Sequence, residues 1–220
     1  SIGFWGVFQL ACLALFLAIQ VGRTVSLIVR DKVNPIKLRV RKQGALGLVE
    51  LALFANVNLW AAVLVVQAVA PRVLSGVPLW GALMVESPVA QYAGLILTIL
   101  AFGILILAQV ALGKAWRLGI DEENPGELVT GGIYALSRNP IYLFFDLYFI
   151  GTFLINGTPF FVLSAAFTVV NLHYQILCEE RHLLRLYGAD YEAYSACTAR
   201  YWTGPWVLCT RAVTQEVDVS

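Results

Sequence analysis

Three long apolar runs dominate this chain: about Phe4–Val29, Ala45–Ala70 and Pro88–Gly113. Crossing about 30 Å of hydrocarbon takes roughly 20 apolar residues wound as a helix. Each run is long enough, and inside a bilayer an isolated apolar segment has to be helical, because only then are its backbone groups paired within itself. Two further runs follow as a pair, about Pro140–Ile155 and Phe160–Cys178, joined by the breaker Asn156-Gly157-Thr158-Pro159. The first of the pair spans only about 24 Å. It either stops short of the far headgroups or the bilayer thins around it. The expected fold is all-α and integral to a membrane, with about five spans ending in a helical hairpin. Only 13% of the 220 residues are charged, about half the share in a soluble domain. The first run lacks a basic leader and a small-residue cleavage site, so it reads as a span.

Charge sets the expected orientation. Arg30 to Lys42 holds six basic residues and one acid, which assigns that loop to the cytoplasm. Counting spans then puts the N-terminus outside and both Lys114–Asn139 and the tail from Glu179 in the cytoplasm. Such an arrangement suits a bacterial or archaeal plasma membrane. Pro71–Ser87, with Trp80 and few charges, suits an interfacial stretch. The net charge of +1, without a basic face, leaves no footprint for nucleic acid. Cys12, Cys178, Cys197 and Cys209 have no metal-ligand spacing and read as free thiols. Neither His173 nor His182 has a metal partner at ligand spacing, so no metal is expected. Three segments result: residues 1–113 with three spans, 114–202 with the polar residues, and a tail, 203–220.

The polar residues collect in the second segment. A glycine-rich stretch with Pro125, Gly126, Gly131 and Gly132 leads into Ser137-Arg138-Asn139-Pro140-Ile141-Tyr142. Pro140 fits the first helical position, where its missing N–H costs nothing. The amides behind it, with Arg138 alongside, favour a carboxylate. Glu179 and Glu180 follow the hairpin. Neighbours on a helix point about 100° apart, so the two acids serve different faces. An apolar stripe (Leu183, Leu184, Leu186, Tyr187) reads as an interfacial amphipathic helix ended by Gly188. Aromatic faces from Tyr134, Tyr142 and Trp116 would favour a cation there by about 0.5–2 kcal/mol.

Two segments carry a resemblance: "GELVTGGIYALSRNPIY" and, about forty residues on, "EERHLLRLYGADYEAY". In this order around a membrane hairpin, they resemble the integral-membrane isoprenylcysteine carboxyl methyltransferases and the related phospholipid N-methyltransferases. The likeness covers Lys114 to Trp202. It implies an S-adenosylmethionine-dependent methyltransferase with a cytoplasm-facing cofactor pocket and a lipophilic acceptor drawn from the bilayer. The cofactor residues it implies are Gly126, Glu127, Leu128, Val129, Tyr134, Asn139, Pro140, Ile141, Tyr142 and Glu179. Arg138, Asp146 and Glu180 are the catalytic candidates, and Gln175 stands at the acceptor position. Asn139 replaces the family's histidine; it cannot titrate but still donates and accepts hydrogen bonds. Gln175 replaces a basic residue, and a neutral amide is a poor counter-charge for a carboxylate acceptor. Membrane sterol reductases, which use NADPH, share a C-terminal hairpin but are longer, and their phosphate-binding basic cluster is missing here. A non-enzymatic lipid-binding protein is the third reading.

Asp146 lies one helical turn beyond Tyr142 on the same face. An acid at membrane depth is a functional candidate; the plainer expectation is a hydrogen bond to Tyr148, His173 or Tyr174. Glu50 is expected to snorkel or pair with the basic loop.

Overall fold

The computed structural model describes residues 2–30, 45–113 and 127–202. Within them the helices are α1 (Phe4–Arg30), α2 (Ala45–Val69), two single turns α3 (Pro71–Leu74) and α4 (Pro78–Gly81), α5 (Pro88–Leu112), α6 (Pro140–Asn156), α7 (Pro159–Tyr187) and α8 (Ala189–Cys197). A 3₁₀ turn, Gly132–Ala135, precedes α6. No strand occurs among the described residues. Four helices, α1, α2, α5 and α7, are long and apolar enough to cross a membrane. The fifth, α6, has 17 residues, about 26 Å, and is the short member the sequence implied. Leu48, Val89, Val110 and Val170 point outward, each at least two-thirds exposed. Aqueous solvent would penalise that arrangement; lipid does not.

Prolines start five of these helices at the first or second position, Pro140 of α6 among them. Gly157 closes the α6–α7 turn with a positive φ of 66°, and its carbonyl accepts from the Met84 and Val85 amides. A Cβ there would meet the Val85 carbonyl oxygen, so the turn requires glycine both for its backbone and for the space. Asn156, the last residue of α6, is buried in a reciprocal amide pair with Gln9 of α1.

The acidic stretch departs from expectation. It is not a separate interfacial helix, because α7 runs unbroken from Pro159 past Glu179 to Tyr187 before Gly188 caps it. Its 29 residues reach about 44 Å, so the last turns project beyond the apolar layer. No breaker lies between Cys178 and Gly188, and continuing a helix costs less than starting one. Cysteine usage departs as well. Cys12 and Cys178 are free, but Cys197 is disulfide-bonded. Disulfide formation depends on Cα–Cα proximity in the fold, which spacing alone did not reveal; Cys209 lies outside the described residues.

The core is aromatic. Phe144 and Tyr148 of α6 meet Phe102 of α5 and Phe16 of α1, while Trp60 of α2 stacks on Phe149. Most intimate is the α5–α6 contact. A Cβ on Gly94 would fall 2.5 Å from the Gly151 carbonyl oxygen, and one on Gly151 would fall 2.6 Å from Thr98 Oγ1. Small residues let membrane helices approach backbone to backbone. Polar clips reinforce the bundle: Asn56 of α2 with Ser164 and Thr168 of α7, and Arg23 of α1 with the Gly113 carbonyl behind α5.

Gly94→Ala should test the α5–α6 contact. Alanine gains up to about 1 kcal/mol of helix propensity, but the obstructing atom is backbone, and overpacking costs about 1–3 kcal/mol. The thermal midpoint in detergent is expected to fall; an unchanged or higher midpoint would show that the helices part freely.

Candidate functional site

The polar residues converge where α6 begins and α7 ends. Pro140 fixes the start of α6, and Asn139 is its N-cap residue, though its amide does not cap the helix. Instead Asn139 Nδ2 donates to Glu180 Oε1 at 3.1 Å and to the Arg200 carbonyl at 3.2 Å. One turn into α6, the Tyr142 hydroxyl donates to Glu179 Oε1 at 2.6 Å. The neighbouring acids of α7 therefore divide as their helical angle requires.

Glu179 faces a phenol-rich recess. Tyr134, in the 3₁₀ turn, has its pKa raised first by burial and next by the Glu179 carboxylate. Glu50 of α2 is also within electrostatic reach of Tyr142. Its expected partner, the basic loop, lies outside the described residues. Tyr194 of α8 secures the far wall by donating to the Tyr134 carbonyl at 2.6 Å. Both Tyr134 and Tyr194 remain protonated at neutral pH, since burial pushes each phenol up.

Glu180 is the centre of an ionic knot. Arg200 engages both carboxylate oxygens, Nη2 lying 2.8 Å from Oε2, and Arg138 Nη2 lies 3.3 Å from Oε1. The side chain of Glu180 is 11% exposed. Its hydrogen bond to Arg200 raises the guanidinium's pKa. The residues after α8 form a strap across this end: the Arg138 amide donates to the Ala199 carbonyl at 3.0 Å, and buried Ser137 donates through Oγ to the Arg200 carbonyl at 3.4 Å. On the side of α7 away from Glu179, Arg138, Glu180, Tyr191 and Arg200 line an open cleft of about 480 Å³ with Leu177, Arg181 and Leu184. Arg138 Nε is buried without a hydrogen-bond partner.

Tyr134, Arg138, Asn139, Pro140, Tyr142, Glu179 and Glu180 thus come together as the sequence implied. Glu127, Leu128 and Val129 lie just before the 3₁₀ turn in non-helical backbone, and Ile141 is half-buried in the first turn of α6. Gly126 and Trp116 lie outside the described residues. Gln175 is buried on α7, one turn from Glu179. Asp146 is buried one turn beyond Tyr142. The expected bond from Asp146 to Tyr148, His173 or Tyr174 is not formed: its Oδ1 has no partner, and His173 Nδ1 pairs with Tyr201 at 2.7 Å. Sequence reasoning missed Ser137, Tyr191, Tyr194, Arg200 and Tyr201. Only the Tyr191/Tyr194 spacing, three apart after the Gly188 stop, offered a signal of an inward face.

The class these features define is an all-helical membrane protein with its polar chemistry gathered at one end of a helical pair. Residues 89–190 match the family model described as phospholipid methyltransferase. Two curated proteins named probable protein-S-isoprenylcysteine O-methyltransferase, from Oryza sativa subsp. indica and subsp. japonica, are each 32% identical over 110 residues. That alignment covers 48% of this chain and 56% of each relative, so the chain spans about half the length of the curated relatives it matches. Both comparisons point to the family that the two motifs resemble, each as a likeness over part of the chain.

Glu180→Gln should uncouple the knot. Removing one partner of a buried ion pair costs on the order of 3 kcal/mol because the others stay desolvated. The thermal midpoint should drop well below that of Arg181→Gln, whose exposed guanidinium bonds only within α7; equal midpoints would remove Glu180 as the anchor.

Proposed function

We propose that this chain is an S-adenosylmethionine-dependent methyltransferase acting on a lipophilic acceptor held in the bilayer. The observation that carries this reading is the Tyr142–Glu179 pair beside Tyr134, at the α6–α7 mouth and inside the segment that matches the methyltransferase family. The donor set fits the cofactor. A sulfonium with an amino group and ribose hydroxyls needs anionic acceptors and aromatic faces. Glu179, Tyr142 and Tyr134 supply them, and the glycine-rich approach to the 3₁₀ turn offers backbone amides. When bound, the cofactor supplies an electrophilic methyl group.

The protein's own part is alignment and exclusion of water. Tyr142 orients the Glu179 carboxylate, while the Glu180 knot holds the start of α6 and the end of α7 in register. Fixing two reactants in line can contribute about 7–11 kcal/mol to the rate. The lipid-exposed flanks of α2 and α7 suit an acceptor arriving sideways from the bilayer. We also place the site on the cytoplasmic side, with the N-terminus outside, on the strength of the six basic residues in Arg30–Lys42. Protease added to sealed inside-out vesicles should cut that segment; protection there with cleavage in right-side-out vesicles would reverse the orientation.

Equilibrium dialysis of labelled S-adenosylmethionine against the protein in nanodiscs tests the reading directly. Losing a hydrogen bond to a charged group costs about 1.5–3 kcal/mol, so Glu179→Gln and Tyr142→Phe should each weaken binding about tenfold or more. Wild-type protein that does not bind the donor, or variants that bind it equally well, would favour the non-enzymatic lipid-binding reading.

A further inference from the structure

The hydroxyl of Tyr194 has a use that apolar packing does not explain. The nine-residue α8 buries Tyr191 and Tyr194, which share a face of the helix. A helix so short has little stability of its own, so these two rings are what seats it. Phenylalanine would serve that purpose at position 194 without a hydroxyl to desolvate. The rings meet edge to face with centroids 6.1 Å apart, yet their surroundings differ. Tyr191 lines the cleft with Arg138 and Arg200. The Tyr194 hydroxyl donates at 2.6 Å to the carbonyl of Tyr134, 60 residues earlier in the chain.

That carbonyl belongs to the 3₁₀ turn Gly132–Ala135. A turn of this kind is held by few hydrogen bonds of poor geometry. Gly132 enters it with a positive φ of 63°, and glycine constrains the backbone least of all residues. One support comes from α5, where a Cβ on Gly132 would lie 3.3 Å from Ala111 Cβ. Tyr194 supplies another, and the peptide it grips is the one that carries the Tyr134 ring. That ring borders the recess, its phenol within reach of the Glu179 charge. A wall fixed before the ligand arrives spares the cost of ordering it on binding.

Resting on the methyltransferase reading, we propose that Tyr194 is a positioning residue for the methyl donor. Its hydroxyl holds the Tyr134 peptide, and through it the aromatic ring that faces the donor. The donor site on this account extends past residues 89–190, which match the family model, into α8. The effect of Tyr194 reaches the donor only through Tyr134.

Equilibrium dialysis of labelled S-adenosylmethionine against the full chain in nanodiscs yields both Kd and the number of sites per chain. Tyr194→Phe should raise Kd about fivefold, as loss of one neutral hydrogen bond implies, and leave the number of sites unchanged. Ser164→Ala is the control for stability, since it removes a hydrogen bond to Asn56 about four turns of α7 from Glu179. It should lower the thermal midpoint and leave Kd unchanged. In a Tyr134→Ala background no ring remains to be placed, so adding Tyr194→Phe should raise Kd no further. An unchanged Kd in Tyr194→Phe, or fewer sites at an unchanged Kd, overturns the assignment and makes the hydroxyl structural. A parallel rise of Kd in Ser164→Ala overturns it too, because affinity would then follow stability. So does a second rise of the same size in the Tyr134→Ala background, which would mean that Tyr194 acts by another route. Wild-type protein that fails to bind the donor overturns the methyltransferase reading and this inference with it.

Discussion

Glu180 holds the polar end of the molecule together. One carboxylate accepts from Arg200, Arg138 and Asn139, and these belong to the strap, the segment before α6 and the N-cap of α6. Its own helix, α7, makes the fourth element. Desolvating a carboxylate is costly unless its oxygens are paired, and here several N–H donors share that role. With Glu180 committed to holding the framework, Glu179 is the acid left to face the tyrosine recess. The helical angle between two adjacent residues thus separates support from recognition.

Towards the other end the bundle depends on neutral polar groups. The Gln9–Asn156 pair joins α1 to α6, and Asn56 joins α2 to α7. Lipid gives helices little hydrophobic reason to associate, so packing and such hydrogen bonds must do it. Gly94 and Gly151 let α5 and α6 touch along their backbones, which places the aromatic core of α6 and anchors the helix that carries Asn139, Tyr142 and Asp146. The short α6 is also the helix held most closely by its neighbours.

What could be read from the sequence follows from where local rules apply. The apolar helices, the Pro140 start, the Gly157 turn and the Gly188 stop depend on nearest neighbours and composition, and they are found, α6 as the short one. The division of Glu179 from Glu180 also follows from helical angle alone. The continuity of α7 was hidden because an apolar run that turns amphipathic looks like two helices when nothing marks the join. Arg200 and Tyr201 were hidden for another reason: they reach the site from the strap after α8, and no spacing rule reports such a return. Glu180 illustrates both limits, because its position was legible and its partners were not.

The strap also sets an order of assembly. Chains are made and begin to fold from the N-terminus, so α7 with its two acids exists before residues 198–202 do. During that interval Glu180 can draw only on Arg138 and Asn139, and His173 lacks its Tyr201 partner. The ionic knot at Glu180 is therefore completed late, after the helices that carry the Tyr142–Glu179 pair have been made. A nascent chain halted before Arg200 would hold every helix long enough to span the membrane and still lack the fastening that brings α6, α7 and the 3₁₀ turn to one point.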